Sequence, residues 1–416
     1  MEPSRGCGGP AAVPKRPHSG PAVGAPRGYR RSGDNRALVF FPAGVRPRLT
    51  ACPMFTSEDH RWMLRAIELA ARGMDTTTPN PRVGCVVVRD GEMVGEGWHV
   101  RAGEPHAEVI ALAHAGARSR GATVYLTLEP CSHHGRTPPC TDALIEAKVA
   151  RVIAAMEDPN PLVNGEGLTR LRAAGIDVRC GLLGAQATDL NPGFVSRMTR
   201  GLPWVRMKVA ASLDGFTALP DGRSQWITGE SAREDGHRWR ARACAILTGI
   251  GTVREDDPQL TARLEGVRRQ PLKVLVDSRL EVDLQARMLK GGDVLVVCSH
   301  ERTDKAAELR DRGCEVLALP NPSGKVDLPA LMRTLAGRGV NEVHVEAGHK
   351  LNASLLRERC VDELLVYLSA SLLGSGRPMF ELEAVASLDE RLALELQSVE
   401  RLGNDVRLLA RVARTS

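Results

Sequence analysis

Short apolar runs alternate with amphipathic segments of helical length along the chain after residue 53. The segment MFTSEDHRWMLRAIELAARG carries apolar residues at a spacing close to 3.6, which predicts a helix over 58–72 with Ser57 as its N-cap and Gly73 at its end. The runs GCVVVRD and EMVGEGWH flank Asp90–Gly91 and predict two strands joined by a turn.

The same alternation continues to about residue 179. It predicts a helix from Ala107 to about Ser119, strand ATVYLTLE, a helix over 140–148, strand ARVIAAME and a strand around 176–179. This order of elements is typical of a three-layer α/β/α domain.

A second block begins near Pro203, after a linker around GLLGAQATDLNPGF. Its predicted strands are WVRMKVAAS, ACAILTGIGTV, PLKVLVDS, GDVLVVCS, CEVLALP and EVHVEAG, with more after Leu364, and its predicted helices span 230–242, 303–312 and 327–337. Repeated βα units with short apolar strands favour a mainly parallel sheet covered by helices. The chain is therefore expected to be an α/β protein with one domain over 54–200 and another over 201–416.

The first 53 residues have a different composition. They contain nine prolines, eight glycines and nine basic residues against only Glu2 and Asp34, so they are expected to be a disordered, basic extension. Three interpretations stay open: an organelle-targeting peptide, an RNA-binding arm, or an extension ahead of a natural start at Met54.

Composition narrows the class of protein. The net charge of +6 lies wholly in that extension, and the rest of the chain sums to about −1, which argues against nucleic acid as a partner. No run of about 18 apolar residues predicts a membrane span. Ten cysteines dispersed over 416 residues favour a reducing cytoplasm over a secreted disulfide scaffold, with a plastid or other organelle as the alternative if the extension is a targeting peptide.

Four residues between positions 106 and 140 have the chemistry of a zinc site. His106 supplies an imidazole, and Cys131 and Cys140 supply two thiolates, which leaves a fourth position on a zinc ion for water. Glu108 provides a carboxylate for moving the proton of that water, as in the zinc deaminases of nucleobases. We therefore predict a zinc-dependent hydrolytic deaminase.

Plainer interpretations compete with this one. A histidine near a helix start is often a surface residue, and cytoplasmic cysteines are often small buried hydrophobes. That is our expectation for the six other cysteines after residue 53, namely Cys85, Cys180, Cys244, Cys298, Cys314 and Cys360. The coincidence of histidine, glutamate, Pro130 and two cysteines with the deaminase signature favours the metal site.

The second block lacks the dinucleotide fingerprint. In GIGTVR an arginine stands where the third glycine of GxGxxG belongs, so a Rossmann domain is not predicted. The glycines at 249 and 251 can still bring backbone N–H groups close to a phosphate, although a tight turn between strand and helix is the simpler interpretation.

Long motifs resemble one family. The segments TPNPRVGCVVV, GWHVRAGEPHAE, TLEPCSHHGRTPPC and NPLVNGEG are similar to the bifunctional deaminase/reductases of riboflavin biosynthesis, and eight residues rather than two separate the cysteines. The resemblance runs from Met54 to the C-terminus. It implies a cytidine-deaminase-like domain followed by a dihydrofolate-reductase-like domain. The implied reactions are deamination of 2,5-diamino-6-(5-phosphoribosylamino)pyrimidin-4(3H)-one and NADPH reduction of the resulting uracil's ribosyl chain to ribityl.

The resemblance also implies site residues. In the deaminase half, Asn80 matches the asparagine that contacts the base, and His99 is a candidate for the substrate. His133, His134 and Arg136 are further candidates, with a solvated loop as the alternative.

In the reductase half, the residues matching NADPH-binding positions are Ala210, Trp226, Thr252, Asp256, Ser278, Gly348, His349, Lys350, Leu351, Asn352, Ala353 and Ser354. Those matching substrate positions are Ser224, Arg240, Leu260, Arg263 and Glu346, and the two arginines suit a ribose phosphate. Lys208 and Asp214 are candidates near the reacting sugar, and His349 and Lys350 would add positive charge for a cofactor phosphate.

The expected partner is a small-molecule pyrimidine ribose phosphate, with no nucleic acid and no membrane, and the chain is expected to be a homo-oligomer. A deaminase of tRNA or free cytidine is one alternative, but it has no use for the second block. A scaffold that has lost one activity is another.

Overall fold

The computed structural model describes residues 54–133 and 138–413. The extension predicted to be disordered over 1–53 lies outside the described residues, as do His134 and Arg136.

A five-stranded mixed sheet forms the first half. Its strands are β1 (Gly84–Arg89), β2 (Glu92–Trp98), β3 (Thr123–Leu126), β4 (Arg151–Ala154) and β5 (Asp177–Cys180). They lie in the order β2-β1-β3-β4-β5, with β1 antiparallel to both of its neighbours and β3, β4 and β5 parallel to one another.

Among the described residues, six α-helices belong to this half. They are α1 (Ser57–Ala71), α2 (Ala107–Ala115), α3 (Cys140–Glu146), α4 (Glu166–Ala173), α5 (Gly184–Leu190) and α6 (Pro192–Arg200). Separate apolar clusters cover the two faces of the sheet, one packed by α2 and α3 and the other by α1 and α5. This confirms the predicted three-layer architecture.

The start of α1 is fixed by a capping box one residue before the predicted N-cap. The Thr56 side chain accepts from the Asp59 amide, and the Asp59 carboxylate accepts from the Thr56 amide. Asp59 is buried, and burial by itself raises the pKa of its carboxyl, but hydrogen bonds from Thr56 and from the Tyr125 hydroxyl outweigh it, so the net pKa lies below its ordinary value.

Glycines in β2 let α2 lie unusually close to the sheet. A Cβ at Gly97 would lie 2.7 Å from the carbonyl oxygen of Ala107, and one at Gly95 would lie 2.2 Å from that of Ala111. Any larger residue at either position would push away the helix whose first turn carries the predicted zinc ligand and glutamate.

The predicted linker around 181–194 is wrong, because this segment and the residues after it form α5 and α6. The helix α4 was also not predicted. The segment 181–194 is rich in glycine and small polar residues, which suggest a loop, and packing against the sheet overrides that preference.

The second half is built on a nine-stranded sheet. Its strands are β6 (Trp204–Ser212), β8 (Ala245–Gly249), β9 (Leu272–Val276), β10 (Val294–Cys298), β11 (Glu315–Ala318), β12 (Glu342–Val345), β13 (Glu363–Ser369), β15 (Leu394–Leu402) and β16 (Asp405–Val412). A separate two-stranded sheet pairs β7 (Phe216–Ala218) with β14 (Arg377–Pro378).

The large sheet has the order β11-β10-β9-β8-β12-β6-β13-β16-β15. Its strands are parallel from β11 to β13, and β16 pairs antiparallel with both β13 and β15. The mainly parallel sheet is therefore confirmed, with an antiparallel hairpin added at one edge.

The helices of this half are α7 (Glu230–Arg242), α8 (Ile250–Asp256), α9 (Thr303–Asp311), α10 (Leu328–Gly337) and α11 (His349–Arg357). The predicted strand ACAILTGIGTV was too long, because β8 ends at Gly249 and α8 begins at once. Two large apolar clusters pack on this sheet. Among the described residues, no helix is both long and apolar enough to cross a membrane.

Candidate active sites

The three predicted zinc ligands meet in space. His106 is the N-cap of α2, Cys140 is the first residue of α3, and Cys131 lies in the loop beyond β3. The His106 Nδ1 atom lies 3.2 Å from the Cys140 Sγ and 3.6 Å from the Cys131 Sγ. One ligand atom from each residue falls within 4.8 Å of the others, which fits a single tetrahedral ion with an open fourth position.

The electrostatics of the cluster favour thiolate ligands. Hydrogen bonds from the Cys140 thiol and from His106, together with the Cys140 backbone N–H at 3.3 Å, hold the pKa of Cys131 well below its usual range. The Cys140 thiol keeps the proton of the pair, so its pKa is raised. Metal binding replaces that proton.

Glu108 lies in the first turn of α2 and is buried, with 3% of its surface exposed. Burial raises the pKa of its carboxyl, and the nearby His106 partly opposes this effect. A buried carboxyl group beside the metal ligands can take up and release a proton, as the predicted role requires.

Asn80 and His99 form a pair next to the cluster. The His99 Nδ1 lies 3.2 Å from the carbonyl oxygen of Pro105, so Nδ1 carries the proton and donates it. Nε2 then accepts from the Asn80 Nδ2 atom at 3.1 Å. The His99 and His106 rings meet edge to face with their centroids 5.3 Å apart, which places the predicted base-contacting asparagine beside the metal site.

One supporting residue, Glu129, was missed. Its buried carboxylate accepts hydrogen bonds from four backbone amides at 2.8–3.3 Å, contributed by Asp158, Gly165, Gly167 and Leu168. It stands two residues before Cys131 and ties the metal-ligand loop to the start of α4. The signal in the sequence that could have identified Glu129 is its position inside the TLEPC motif. Its contacts could not be predicted, because the four backbone amides that donate to it are distant in the chain.

In the second half, two predicted substrate residues bind each other. Arg240 donates from Nε and Nη2 to the two carboxylate oxygens of Glu346 at 2.5 and 2.8 Å. Burial alone would raise the pKa of Glu346, but Arg240 holds it well below its usual range. Arg263 is exposed, so it remains available for a phosphate.

Lys208 lies near these groups, on β6. Burial lowers the pKa of its amine, and the charges of Glu346, Arg240 and Asp256 act on it. Asp214, the other candidate near the sugar, binds a neighbouring loop. Its carboxylate accepts from the backbone amides of Leu373 and Gly374, so it holds that loop in place.

The predicted cofactor segment is the N-terminal part of a helix. Gly348 is the N-cap of α11, and the residues from His349 to Ser354 form its first turns. A Cβ built on Gly348 would lie 3.7 Å from the Thr252 Oγ1 in α8, and one on Gly249 would lie 3.0 Å from Leu351, so the starts of α8 and α11 come together. These two helix starts direct N–H groups to one region, as a phosphate requires.

The other predicted positions are more dispersed. The Ser224 hydroxyl donates to Asp256 at 3.3 Å. The Trp226 ring is 70% exposed, with the Arg233 guanidinium 4.7 Å from its centroid. Ala210 lies in β6, Ser278 follows β9, and Leu260 is buried in an apolar cluster. The His349 Nε2 atom lies 3.6 Å from a carboxylate oxygen of Glu381.

Comparisons with known proteins find relatives for both halves of the chain. Residues 56–156 match the model of the cytidine and deoxycytidylate deaminase zinc-binding region, and residues 203–408 match that of the RibD C-terminal domain. The riboflavin biosynthesis protein RibD of Escherichia coli is 46% identical over 363 residues, covering 84% of this chain and 98% of that protein. Its counterpart in Aquifex aeolicus is 39% identical over 354 residues, covering 85% and 98%.

Solved structures show the same relationship. Acinetobacter baumannii RibD matches with a TM-score of 0.80 and 42% identity, covering 86% of this chain and 99% of that one. A Thermotoga maritima protein described as a diaminohydroxyphosphoribosylaminopyrimidine deaminase/5-amino-6-(5-phosphoribosylamino)uracil reductase matches with a TM-score of 0.77 and 34% identity, with the same coverage.

The fold and the histidine–cysteine cluster thus define a zinc-dependent deaminase of the cytidine deaminase class joined to a dihydrofolate-reductase-like NADPH reductase. The chain belongs to the RibD family of riboflavin biosynthesis proteins, and the family predicted from its motifs is confirmed.

Proposed function

We propose that the chain deaminates 2,5-diamino-6-(5-phosphoribosylamino)pyrimidin-4(3H)-one at the first site and reduces the ribosyl chain of the product at the second. The observation that carries the proposal is the convergence of His106, Cys131 and Cys140 beside the buried Glu108, in a chain whose residues 203–408 match the RibD C-terminal domain.

At the first site, His106, Cys131 and Cys140 would hold the metal. Zinc supplies there a water acidic enough to lose its proton near neutral pH. Glu108 would accept that proton and deliver it to the ring nitrogen. It would then take the second proton of the water, from the hydroxyl added to the ring carbon, and pass it to the departing amine, so that ammonia leaves and oxygen takes its place. Asn80, oriented by His99, holds the pyrimidine edge.

At the second site, NADPH supplies a hydride to the sugar C1′. The helix starts around Thr252 and Gly348 would bind its phosphates, and the other matched cofactor positions would contact the rest of it. Arg263 binds the ribose phosphate of the substrate, while Glu346 keeps Arg240 in place. We assign to Lys208 the cation that stabilises the oxygen released by ring opening, and its closeness to Glu346 and Arg240 supports this.

The organisation of the chain is also part of the proposal. We assign the deaminase to 54–200 and the reductase to 201–416, with residues 1–53 as an extension outside both. A cytoplasmic location is supported by the eight cysteines of the described residues, all of which are free.

A homo-oligomer is supported by β15 at the edge of the large sheet. Leu394, Leu396 and Val399 on this strand are each about half exposed or more, at 47%, 61% and 56%. Such an edge can pair with a second copy. Sedimentation equilibrium of the wild type and of Leu396→Glu tests this, and an unchanged monomeric mass for both would reject it.

The central experiment supplies the diaminopyrimidinone to purified chain with and without NADPH. Glu108→Ala should lower ammonia release by about 10²–10⁴-fold, while oxidation of NADPH by the already deaminated substrate is retained. Glu104→Ala, an exposed glutamate on the preceding loop, serves as the matched control. Full ammonia release by Glu108→Ala would disprove the mechanism, and release from cytidine instead of the diaminopyrimidinone would favour the alternative deaminase.

A further inference from the structure

The loop that carries Asn80 is held from outside its own domain. It follows α1 and precedes β1, and it rests against residues of the reductase half and of α6. The Thr78 hydroxyl lies 2.9 Å from the Cys244 Sγ. The carbonyl oxygen of Pro79 accepts from the Asn341 Nδ2 at 3.0 Å and from Arg197 at 3.3 Å. These contacts flank the asparagine directly on its N-terminal side.

Arg82 anchors the other side of the same loop. Its backbone N–H and C=O bond to the Asn191 side chain at 2.8 and 2.9 Å. Its guanidinium donates to the carbonyl oxygens of Met74 and Leu190 and to the Glu342 carboxylate at 2.7 Å. Arg82 is only 6% exposed, and Glu342 is the carboxylate that forms its ion pair among the described residues.

Glu342 is the first residue of β12, in the reductase sheet, and it is 1% exposed. Its second carboxylate oxygen accepts from Arg206 at 3.1 Å and from Arg242 at 2.8 Å. Three guanidinium groups therefore converge on it, and two of them come from the reductase half. The carboxylate fixes Arg82 at a defined position relative to the reductase sheet.

We propose that Glu342 is a positioning residue for deamination: from the reductase sheet it holds Arg82, and through Arg82 it sets the position of Asn80 beside the metal site. The effect reaches the site because Asn80 is two residues from Arg82 and donates to His99, whose ring packs on that of His106. The inference rests on the proposed contact of Asn80 with the pyrimidine.

The test is steady-state kinetics of the full chain with Glu342→Gln. The neutral amide keeps the size of the side chain but removes the charge that pairs with Arg82. The expected result is a rise of about tenfold in the deaminase KM with a kcat within about twofold of wild type, since a binding contact is misplaced and the metal site is intact. Zinc content and the reductase KM for the deaminated substrate should match wild type.

Glu363→Gln is the matched control. Glu363 is buried in the same reductase network and binds Arg206 at 2.5 Å, whereas Arg82 pairs with Glu342. It should leave the deaminase KM unchanged. An equal rise in deaminase KM for both variants would show a general loss of packing and overturn the proposal, as would an unchanged KM in Glu342→Gln.

Asn341→Ala provides a second test of the proposal if Glu342→Gln does not fold. It removes the hydrogen bond to Pro79 and the one that the Asn341 Oδ1 atom accepts from Arg197 at 2.6 Å, and it leaves the Glu342 carboxylate in place. A rise of about threefold in deaminase KM supports positioning from the reductase sheet, and an unchanged KM rejects it. Failure of the wild-type chain to deaminate the diaminopyrimidinone would reject the proposed function itself, which separates the two hypotheses.

Discussion

Replacing Glu129 by glutamine gives the sharpest test of how the metal-ligand loop is supported. The Oε1 atom accepts from the amides of Gly167 and Leu168, and Oε2 accepts from those of Asp158 and Gly165. A glutamine side chain has one oxygen and one NH₂ group, so either orientation leaves two backbone donors facing another donor.

The loss of folding stability follows from those two unpaired donors. A buried donor without its acceptor costs about 1–3 kcal/mol, so Glu129→Gln should destabilise the deaminase half by about 2–6 kcal/mol. With an m-value of about 2 kcal/mol per molar urea, the transition should move down by roughly 1–3 M. Because Pro130 and Cys131 follow directly, zinc should also be released at lower urea.

The assay is urea unfolding of the zinc-loaded chain, followed by capture of released zinc with a chromogenic chelator. Glu157→Gln, at an exposed position in the same half, should unfold as wild type does. A midpoint for Glu129→Gln within about 0.3 M of wild type would refute the reasoning, because that shift is smaller than the loss of even one donor.

Three further outcomes are expected. Gly97→Ala should cost about 1–3 kcal/mol by overpacking β2 against α2 and should weaken zinc retention, as measured by chelator competition. Asp59 has a lowered pKa because hydrogen bonds from Thr56 and Tyr125 outweigh its burial. The stability that this carboxylate contributes is therefore fully present above about pH 4 and is lost as the pH falls through its folded-state pKa. In Asp59→Asn the urea midpoint should change less than in wild type between pH 5 and 3. Arg263→Ala should raise the reductase KM about tenfold with less change in kcat, and an unaltered KM would remove it from the phosphate site.

The elements that sequence reasoning predicted well are those with a strong local period. Strand β1, with its run of three valines, and strand β10, VLVVC, are buried runs bounded by turns, and they appear where expected. The helices α5 and α6 were missed because their sequence is locally ambiguous, and α8 was read as strand because the apolar run continues past Gly249 without a break.

The candidate site residues also divide into those that local sequence predicts and those that depend on distant parts of the chain. The zinc ligands and Glu108 belong to compact motifs whose residue types carry their chemistry, so they could be named without coordinates. Arg240 was predicted as a phosphate ligand from its chemistry alone, and its partner Glu346, which lies 106 residues away in sequence, could not be predicted in that way. Whether Arg240 or Arg263 is available to a ligand depends on the side chains that pack around each of them.

The amino-acid sequence by itself determined the reaction class, the metal and the two-part architecture, since spacing, periodicity and residue chemistry are all local properties of the chain. Only the tertiary structure decided which buried charges meet. Glu129 finds its four amide donors and Glu342 its three arginines across separations of 29 to 260 residues. A buried charge must be paired within hydrogen-bond distance, and that requirement is met by the packing of whole elements rather than by neighbours in sequence.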